Sequence, residues 1–262
     1  PRPTDDGSTV LVVLHDMTAL RRAERMRADF VANASHELRT PLASLVGFVE
    51  TLRGPARDDP EAQDRFLAIM GEQTGRMRRL VEDLLSLSRI EQREHEPPTG
   101  RVDVGPLLKS LVEMLEMKAR PRDVVVNLDV AADLPVVTGD RDELAMAFQN
   151  LIDNAIKYTR PGTTVTIAAL PADDGVQLIV RDQGEGIAAE HLPRLTERFY
   201  RVDTARSRQM GGTGLGLAIV KHVLNRHRGR LAVDSVVGDG STFTVTVPTS
   251  DFSTARENAP GR

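Results

Sequence analysis

Phe66, Met70, Gln73, Met77, Leu80, Leu84 and Leu87 recur at alternating steps of four and three, the spacing of a long helix that lays one seam against a partner. The helix predicted on it runs from about Glu61 to Glu94. A second helix is expected upstream, from Thr18 to about Leu52, with Asp16 or Thr18 as its cap and Pro41 removing one backbone hydrogen bond and bending it. Gly54-Pro-Ala-Arg-Asp-Asp-Pro60 breaks the two apart. Two such helices form a hairpin, and each carries more apolar face than the other covers. A homodimer closing into a four-helix bundle solves this most simply; a monomeric hairpin docked on the rest of the chain is the alternative.

Taking Val31 as reference at about 100° per residue, Ala34, Leu38, Leu42, Leu45, Val49 and Leu52 keep to one broad apolar face. His36 lies about 200° from Leu38 and points away from that face, with Thr40 beside it and Glu37 adjacent. By itself, one such histidine is an ordinary surface residue. Composition sets the outer bounds: 262 residues favour two domains, and with 3% aromatics and no Trp the core falls to Leu, Val, Ile, Ala and Met. A net charge of −4 gives no reason to expect nucleic-acid binding. The absence of Cys excludes disulfides and thiolate metal sites, and fits a reducing compartment. No apolar run reaches the roughly 18 residues that span a bilayer, and no signal peptide is visible.

Residues 4 to 14 read as a turn and a short strand. Downstream, Glu91-Gln-Arg-Glu-His-Glu-Pro-Pro-Thr-Gly100 changes from charged to Pro- and Gly-bearing and marks a boundary. Beyond it the periodicity is mixed. Short strands are expected at Arg101–Val104, Asp123–Val130 and Pro135–Thr138, and helices at Pro106–Ala119 and, capped by Asp140, at Arg141–Tyr158. Thr163–Leu170 and Val176–Arg181 read as a hairpin joined by Pro-Ala-Asp-Asp-Gly. A helix at Leu215–Asn225 and strands at Arg230–Ser235 and Ser241–Val247 complete an α/β sandwich with a mixed sheet. The tail 250–262 has little to bury and is expected to be mobile.

Three polar stretches sit in this second half. In Asn150-Leu-Ile-Asp-Asn-Ala-Ile-Lys-Tyr158, Asn150, Asn154 and Lys157 share one helix side. Asn is unfavourable inside a helix, so two on one face ask for a reason: amides hold metal ions or phosphate oxygens, and Lys neutralises phosphate. A solvated helix face fits the same spacing. Asp182-Gln-Gly-Glu-Gly-Ile187 follows a strand; its glycines permit close approach, and Asp182 accepts from an amino-bearing ring. Gly211-Gly-Thr-Gly-Leu-Gly216 precedes a helix and exposes backbone N–H groups to phosphate, although it lacks the strand–turn–helix order of a Rossmann fingerprint and there is no Walker motif.

These stretches resemble, in the correct order, the N, G1 and G2 boxes of sensor histidine kinases, whose ATP-binding domain is shared more loosely with gyrase-type and Hsp90-type ATPases. His36-Glu-Leu-Arg-Thr-Pro41 resembles their H-box, and Glu197-Arg-Phe-Tyr-Arg-Val-Asp203 the F-box of their ATP lid, with Thr196 where the family often has an aromatic. The chain thus looks like the cytoplasmic catalytic portion of a two-component kinase of the HisKA plus HATPase_c type, its H-box flanks resembling phosphate-regulon sensors. His15-Asp-Met-Thr18 resembles the exit from a PAS domain. The implied architecture is multidomain, α and α+β. Residues 1–17 are a remnant or exit strand of a PAS-like domain, 18–96 a dimerisation and histidine-phosphotransfer domain, 97–100 a linker and 101–249 a Bergerat-type α/β sandwich. The resemblance also implies a membrane-associated N-terminal sensor region in the parent protein.

By the same resemblance His36 is the phosphoacceptor, Glu37 the general base, and Thr40 the residue that positions water for phosphatase action. Asn150 ligates Mg²⁺. Asn154, Lys157 and Tyr158 approach the nucleotide, Asp182 reads the adenine amino group, and Gly184 and Gly186 shape its pocket. Arg201, Gly212, Thr213, Gly214, Leu215 and Gly216 complete the site. The basic run Arg198–Arg208 faces either phosphates or solvent. ATP and Mg²⁺ are the implied cofactors, and a response regulator receiver domain is the implied partner. A non-catalytic ATP-binding scaffold and a gyrase-like ATPase stay open as alternatives.

Overall fold

Asp16 opens the helical half of the chain: its Oδ1 accepts the Thr18 backbone N–H at 2.8 Å, satisfying a donor that a helix start leaves over. Helix α1 is Thr18–Arg53 and helix α2 Pro60–Gln92, in a computed structural model that describes residues 2–3, 10–11, 16–203, 207 and 210–249. The chain divides into two compact units, Pro1–Thr74 and Gly75–Arg262, and α2 belongs partly to each. Among the described residues no helix is long and apolar enough to cross a membrane.

In the first unit the connection between the helices is tied by its own polar groups. Ala56 N–H donates to Thr51 O at 2.9 Å, Asp59 Oδ1 accepts from Ala62 N–H at 3.0 Å, and Gln63 Nε2 donates to Ala56 O and Arg57 O. Phe48 and Phe66 bring the helices together, with ring centroids 5.4 Å apart. The apolar face expected on α1 is not closed within one chain. Ala34, Leu38, Leu45 and Leu52 are half-buried, whereas Val31, Leu42, Val46 and Val49 are exposed, Leu42 and Val46 each to 53%. Of the strand expected within residues 4–14, Val10–Leu11 (β2) pairs antiparallel with Arg2–Pro3 (β1). Residues 4–9 and 12–15, the tail from 250 and the arginines at 206 and 208 lie outside the described residues.

The second unit is an α/β sandwich. Its strands are β3 Arg101–Val102, β4 Val125–Val130, β5 Val137–Thr138, β6 Thr164–Ala172, β7 Gly175–Arg181, β8 Arg230–Val236 and β9 Gly240–Pro248; its helices are α3 Val104–Ala119, α4 Arg141–Tyr158 and α5 Gly216–Arg226. Five strands form one sheet in the order β4-β6-β7-β9-β8, with β4 parallel to β6 and the remaining pairs antiparallel. Burial alternates along the central strands: Val165, Ile167 and Ala169, then Leu178 and Val180, then Phe243, Val245 and Val247 are buried. That period of two turns one face of the sheet toward the helices, whose own buried residues include Leu108, Leu115, Phe148, Leu151, Ile219 and Val223.

Among the element boundaries that differ from the sequence expectation, three have a local cause. Helix α3 starts two residues early because Asp103 Oδ1 caps it, accepting from Gly105 N–H at 3.2 Å. Strand β4 starts at Val125, since Asp123 sits in the left-handed region at φ 56°, where a strand cannot begin. The hairpin loop shrinks to Asp173-Asp174, because Pro171 and Ala172 continue the pairing opposite Val176 and Gly175.

One buried cluster joins the start of α4 to the end of α5. Asp140 N–H donates to His227 Nε2 at 2.9 Å, so the ring proton is on Nδ1, which donates to Val223 O at 2.8 Å. Arg226 pairs with Glu143 at 2.5 Å. Burial lowers the His227 pKa, outweighing the Val223 carbonyl and the Glu143 and Asp140 carboxylates, while Arg226 adds to the lowering. The unfolded chain therefore takes up a proton near the reference value of about 6.5, before the folded chain does, and stability falls as pH drops through that window. Thermal scans between pH 7 and 5 are expected to show a falling midpoint, with a shallower slope in His227→Gln; parallel slopes would assign the acid sensitivity elsewhere.

Candidate functional site

On α4, Leu144, Ala147, Phe148, Leu151, Ile152, Ala155 and Ile156 are buried, and the helical period leaves Gln149, Asn150, Asp153, Asn154 and Lys157 on the opposite, half-buried side. That side forms one wall of a cavity of about 460 Å³, lined elsewhere by Tyr158, Asp182, Gly186, Arg201, Gly212, Thr213, Gly214 and Gly216. Of the nucleotide residues expected from sequence, only Gly184 and Leu215 stand behind this lining. Gly184 supplies its N–H to Asp182, and Leu215 is fully buried.

Asn150 Nδ2 donates to Met146 O at 2.8 Å, which leaves its Oδ1 as the amide end directed toward Gly216. A Cβ on Gly216 would lie 2.5 Å from that Oδ1, so glycine is what lets the start of α5 come up to the Asn150 amide. Lys157 differs from the simple expectation: it pairs with Asp153 at 2.5 Å, and Lys118 of α3 pairs with the other Asp153 oxygen at 3.1 Å. Burial pushes the Asp153 carboxyl up, but Lys157 and Lys118 together hold it below its ordinary value. The four-residue spacing of Asp153 and Lys157 was a legible signal for this pair.

Asp182 is buried at the end of β7. Its Oδ1 accepts from Gly184 N–H at 2.8 Å and Ser241 N–H at 3.3 Å; Oδ2 takes neither bond. Burial raises this carboxyl above its ordinary value despite the two backbone donors. The arrangement fixes the carboxylate plane and presents an acceptor to the cavity, as recognition of an amino-bearing ring requires.

The glycine-rich segment is held on several sides. Gly212 N–H donates to Ser207 O at 2.8 Å, Arg201 Nη2 donates to Thr213 O at 2.8 Å, and Phe199 N–H donates to Gly214 O at 2.8 Å. Tyr158 OH reaches Ser207 Oγ at 3.2 Å. In the F-box-like stretch Thr196 is half-buried and Leu195 is the buried side chain. Tyr200 is fixed by His191 Nδ1 at 2.7 Å and by the Arg194 guanidinium 4.3 Å over its ring. Arg198, from the basic run, pairs with Glu91 at 2.6 Å. Sequence reasoning missed Arg79, Glu82 and Asp83 of α2, which also line the cavity; as polar positions between seam residues they carry no local signal.

In the first unit, His36 is exposed and Glu37 half-buried on α1. Thr40 is exposed one turn on, and its hydroxyl donates back to the His36 carbonyl at 3.2 Å, the local bond that threonine in a helix commonly makes.

The family model for the His Kinase A (phospho-acceptor) domain matches residues 26–93, and that for the histidine kinase-, DNA gyrase B-, and HSP90-like ATPase matches residues 139–251. The phosphate regulon sensor protein PhoR of Pseudomonas aeruginosa is 44% identical over 250 residues, 95% of this chain and 56% of PhoR. The chain therefore spans little more than half the length of that curated relative. The structure of the mycobacterial sensor histidine kinase MprB is 31% identical, with a TM-score of 0.50 over 57% of this chain and 97% of that one. The histidine kinase ThkA, solved in complex with the response regulator protein TrrA, shares the fold with a TM-score of 0.69 at 19% identity, over 88% of this chain and 64% of that one. Two family models in the order phosphoacceptor then ATPase, and a sensor kinase matched along almost its whole solved length, establish that this chain belongs to the sensor histidine kinases.

Proposed function

We propose that this chain autophosphorylates His36 with ATP and passes the phosphoryl group to an aspartate on a response regulator receiver domain. Residues 18–96 act as the dimerisation and phosphotransfer domain and residues 101–249 as the ATP-binding domain, joined by the linker 97–100. The convergence of the α4 polar face, Asp182 and the glycine-rich segment on one cavity carries the proposal. Asp182 Oδ2 accepts from the adenine amino group, with Gly184 and Gly186 shaping that end. Asn154, Lys157 and Tyr158 approach the phosphates, with Arg201 and residues Gly212–Gly216 around them. A neutral His36 imidazole offers a ring-nitrogen lone pair to the γ-phosphorus; the N–P bond forms as the bond to the ADP oxygen breaks, and Glu37 takes or orients the proton on the other ring nitrogen.

The residues fit a Mg²⁺ ion that arrives with its substrate. Asn150 offers an oxygen, the donor type that cation prefers, because its nitrogen is bonded to Met146. Among the described residues no group of three or more His, Cys, Asp or Glu is placed to hold a metal alone. When bound, Mg²⁺ offsets phosphate charge.

Incubation with γ-labelled ATP tests the reading. Acid-labile, base-stable label is expected in the parent chain and none in His36→Gln or Asn150→Ala, with nucleotide binding retained in His36→Gln. In the same assay Thr40→Ala is expected to keep the label but lose regulator dephosphorylation. Binding without label would favour a scaffold, and hydrolysis that survives His36→Gln would favour a gyrase-like ATPase.

The exposed stripe on α1 supports a homodimer. At about 100° per residue Val31, Leu42, Val46 and Val49 fall within about 60° of one another, and all four are exposed in one chain. Light scattering on the eluting chain is expected to give twice its 28.7 kDa mass; a monomer at micromolar concentration would refute the four-helix bundle.

A further inference from the structure

The loop that should receive phosphate is already bonded to an acid from α2. Thr213 Oγ1 donates to Asp83 Oδ2 at 2.6 Å and accepts from Leu215 N–H at 3.3 Å, while Gly212 N–H is taken by Ser207 O at 2.8 Å. Two donors of the cavity-lining loop, the Thr213 hydroxyl and the Gly212 N–H, are thus engaged within the protein, as is the Leu215 N–H behind them. The acceptor for the hydroxyl is a carboxylate, the side chain closest to a phosphate oxygen in being charged and acceptor-only. The guanidinium of Arg79 stands at the other end of the segment, its Nη2 2.8 Å from where a Cβ on Gly211 would be.

We propose that Asp83 is a positioning residue of the nucleotide site, holding the glycine-rich loop through Thr213 in an arrangement that ATP must displace. The proposal rests on the nucleotide reading above. Charge supports the direction. Asp83 lines the cavity, Lys157 is already paired with Asp153, and a carboxylate beside an incoming triphosphate opposes it electrostatically, whereas Glu82 is largely exposed and paired with Arg78. Burial pushes the Asp83 carboxyl up and Glu82 adds to this, while Thr213, Lys157 and Arg79 pull the other way. Burial thus disfavours the ionised form of Asp83, and the bond to Thr213, with Lys157 and Arg79 nearby, works against that. Because Asp83 is fixed to a helix that begins at Pro60, a rotation of α2 by one residue step, about 100°, carries its side chain off the loop. Nucleotide affinity then depends on the rotational setting of α2.

The test is titration of the full chain with the non-hydrolysable analogue AMPPNP and Mg²⁺, with circular dichroism melts to match the fold of each variant. Asp83→Ala is expected to bind about tenfold tighter than the parent, the size of one charge-assisted hydrogen bond released. Asp83→Asn should fall between the two, because its amide oxygen still accepts the hydroxyl but without charge. Glu82→Gln should stay within about twofold, separating the bond from simple removal of negative charge. In labelling assays KM for ATP should fall with affinity. Equal or weaker binding by a folded Asp83→Ala chain would overturn the latch. If the parent and every variant fail to bind nucleotide, the underlying site assignment falls and the latch falls with it.

Discussion

Asp182→Asn is expected to abolish measurable nucleotide binding while raising the thermal midpoint of the chain. The carboxylate is buried with two backbone donors on one oxygen, and burial holds its pKa above the ordinary carboxylate range. A folded-state pKa raised above the unfolded value of about 3.9 means that folding favours the protonated form, so the ionised group opposes stability at neutral pH. Asparagine keeps an oxygen for Gly184 and Ser241 and removes the charge. It also places an NH₂ where the proposed adenine amino group would need an acceptor, leaving two donors face to face. Sites that read a polar group reject the mismatched partner by roughly 10⁴-fold, and nothing near that loss is expected from packing alone. Calorimetric titration with ADP and a thermal scan read the two effects separately. Wild-type affinity in the variant would remove Asp182 from ligand recognition, and a lowered midpoint would show that the charge is compensated where it lies.

Gly186→Ala is expected to destabilise the second unit by about 3–5 kcal/mol, roughly a 10 °C fall in midpoint for a body of this size. Two effects add. Gly186 has φ 71°, which costs a non-glycine residue about 1–2 kcal/mol. A Cβ there would also fall against the Val236 carbonyl oxygen and carbon, backbone atoms that have no side-chain freedom to yield. Gly238→Ala separates the terms: its φ is 98° but nothing lies within 4 Å of its added carbon, so only the strain is felt. Equal effects of the two substitutions would show that contact with the β8–β9 hairpin is not what requires glycine at 186. Gly186 thus lets the β8–β9 hairpin pack against the segment that lines the cavity.

Local chemistry decided much of this protein and was legible in advance. The seam spacing of α2, the Asp140 cap, the apolar period of α4 and the alternation in β6, β7 and β9 each depend on residues a few positions apart, where propensity and periodicity act. The places where reading stopped short are those where distant chain segments meet. The Thr213–Asp83 bond joins residues 130 positions apart, and Lys118–Asp153 joins residues 35 apart. A polar residue between two seam leucines looks the same whether it faces water or a glycine-rich loop.

Sequence alone determined the kinds of element, their order, and the residue types able to hold a nucleotide and accept a phosphoryl group, because helix period, strand period and side-chain chemistry are properties of short stretches. Tertiary structure alone decided that Lys118 of α3 joins Asp153, that the Asp182 carboxylate is buried with one oxygen bonded to two backbone donors, and that α2 lends an acid to the loop. Burial, dielectric and hydrogen-bond partners come from whatever the fold packs alongside, and neighbours along the chain do not set them.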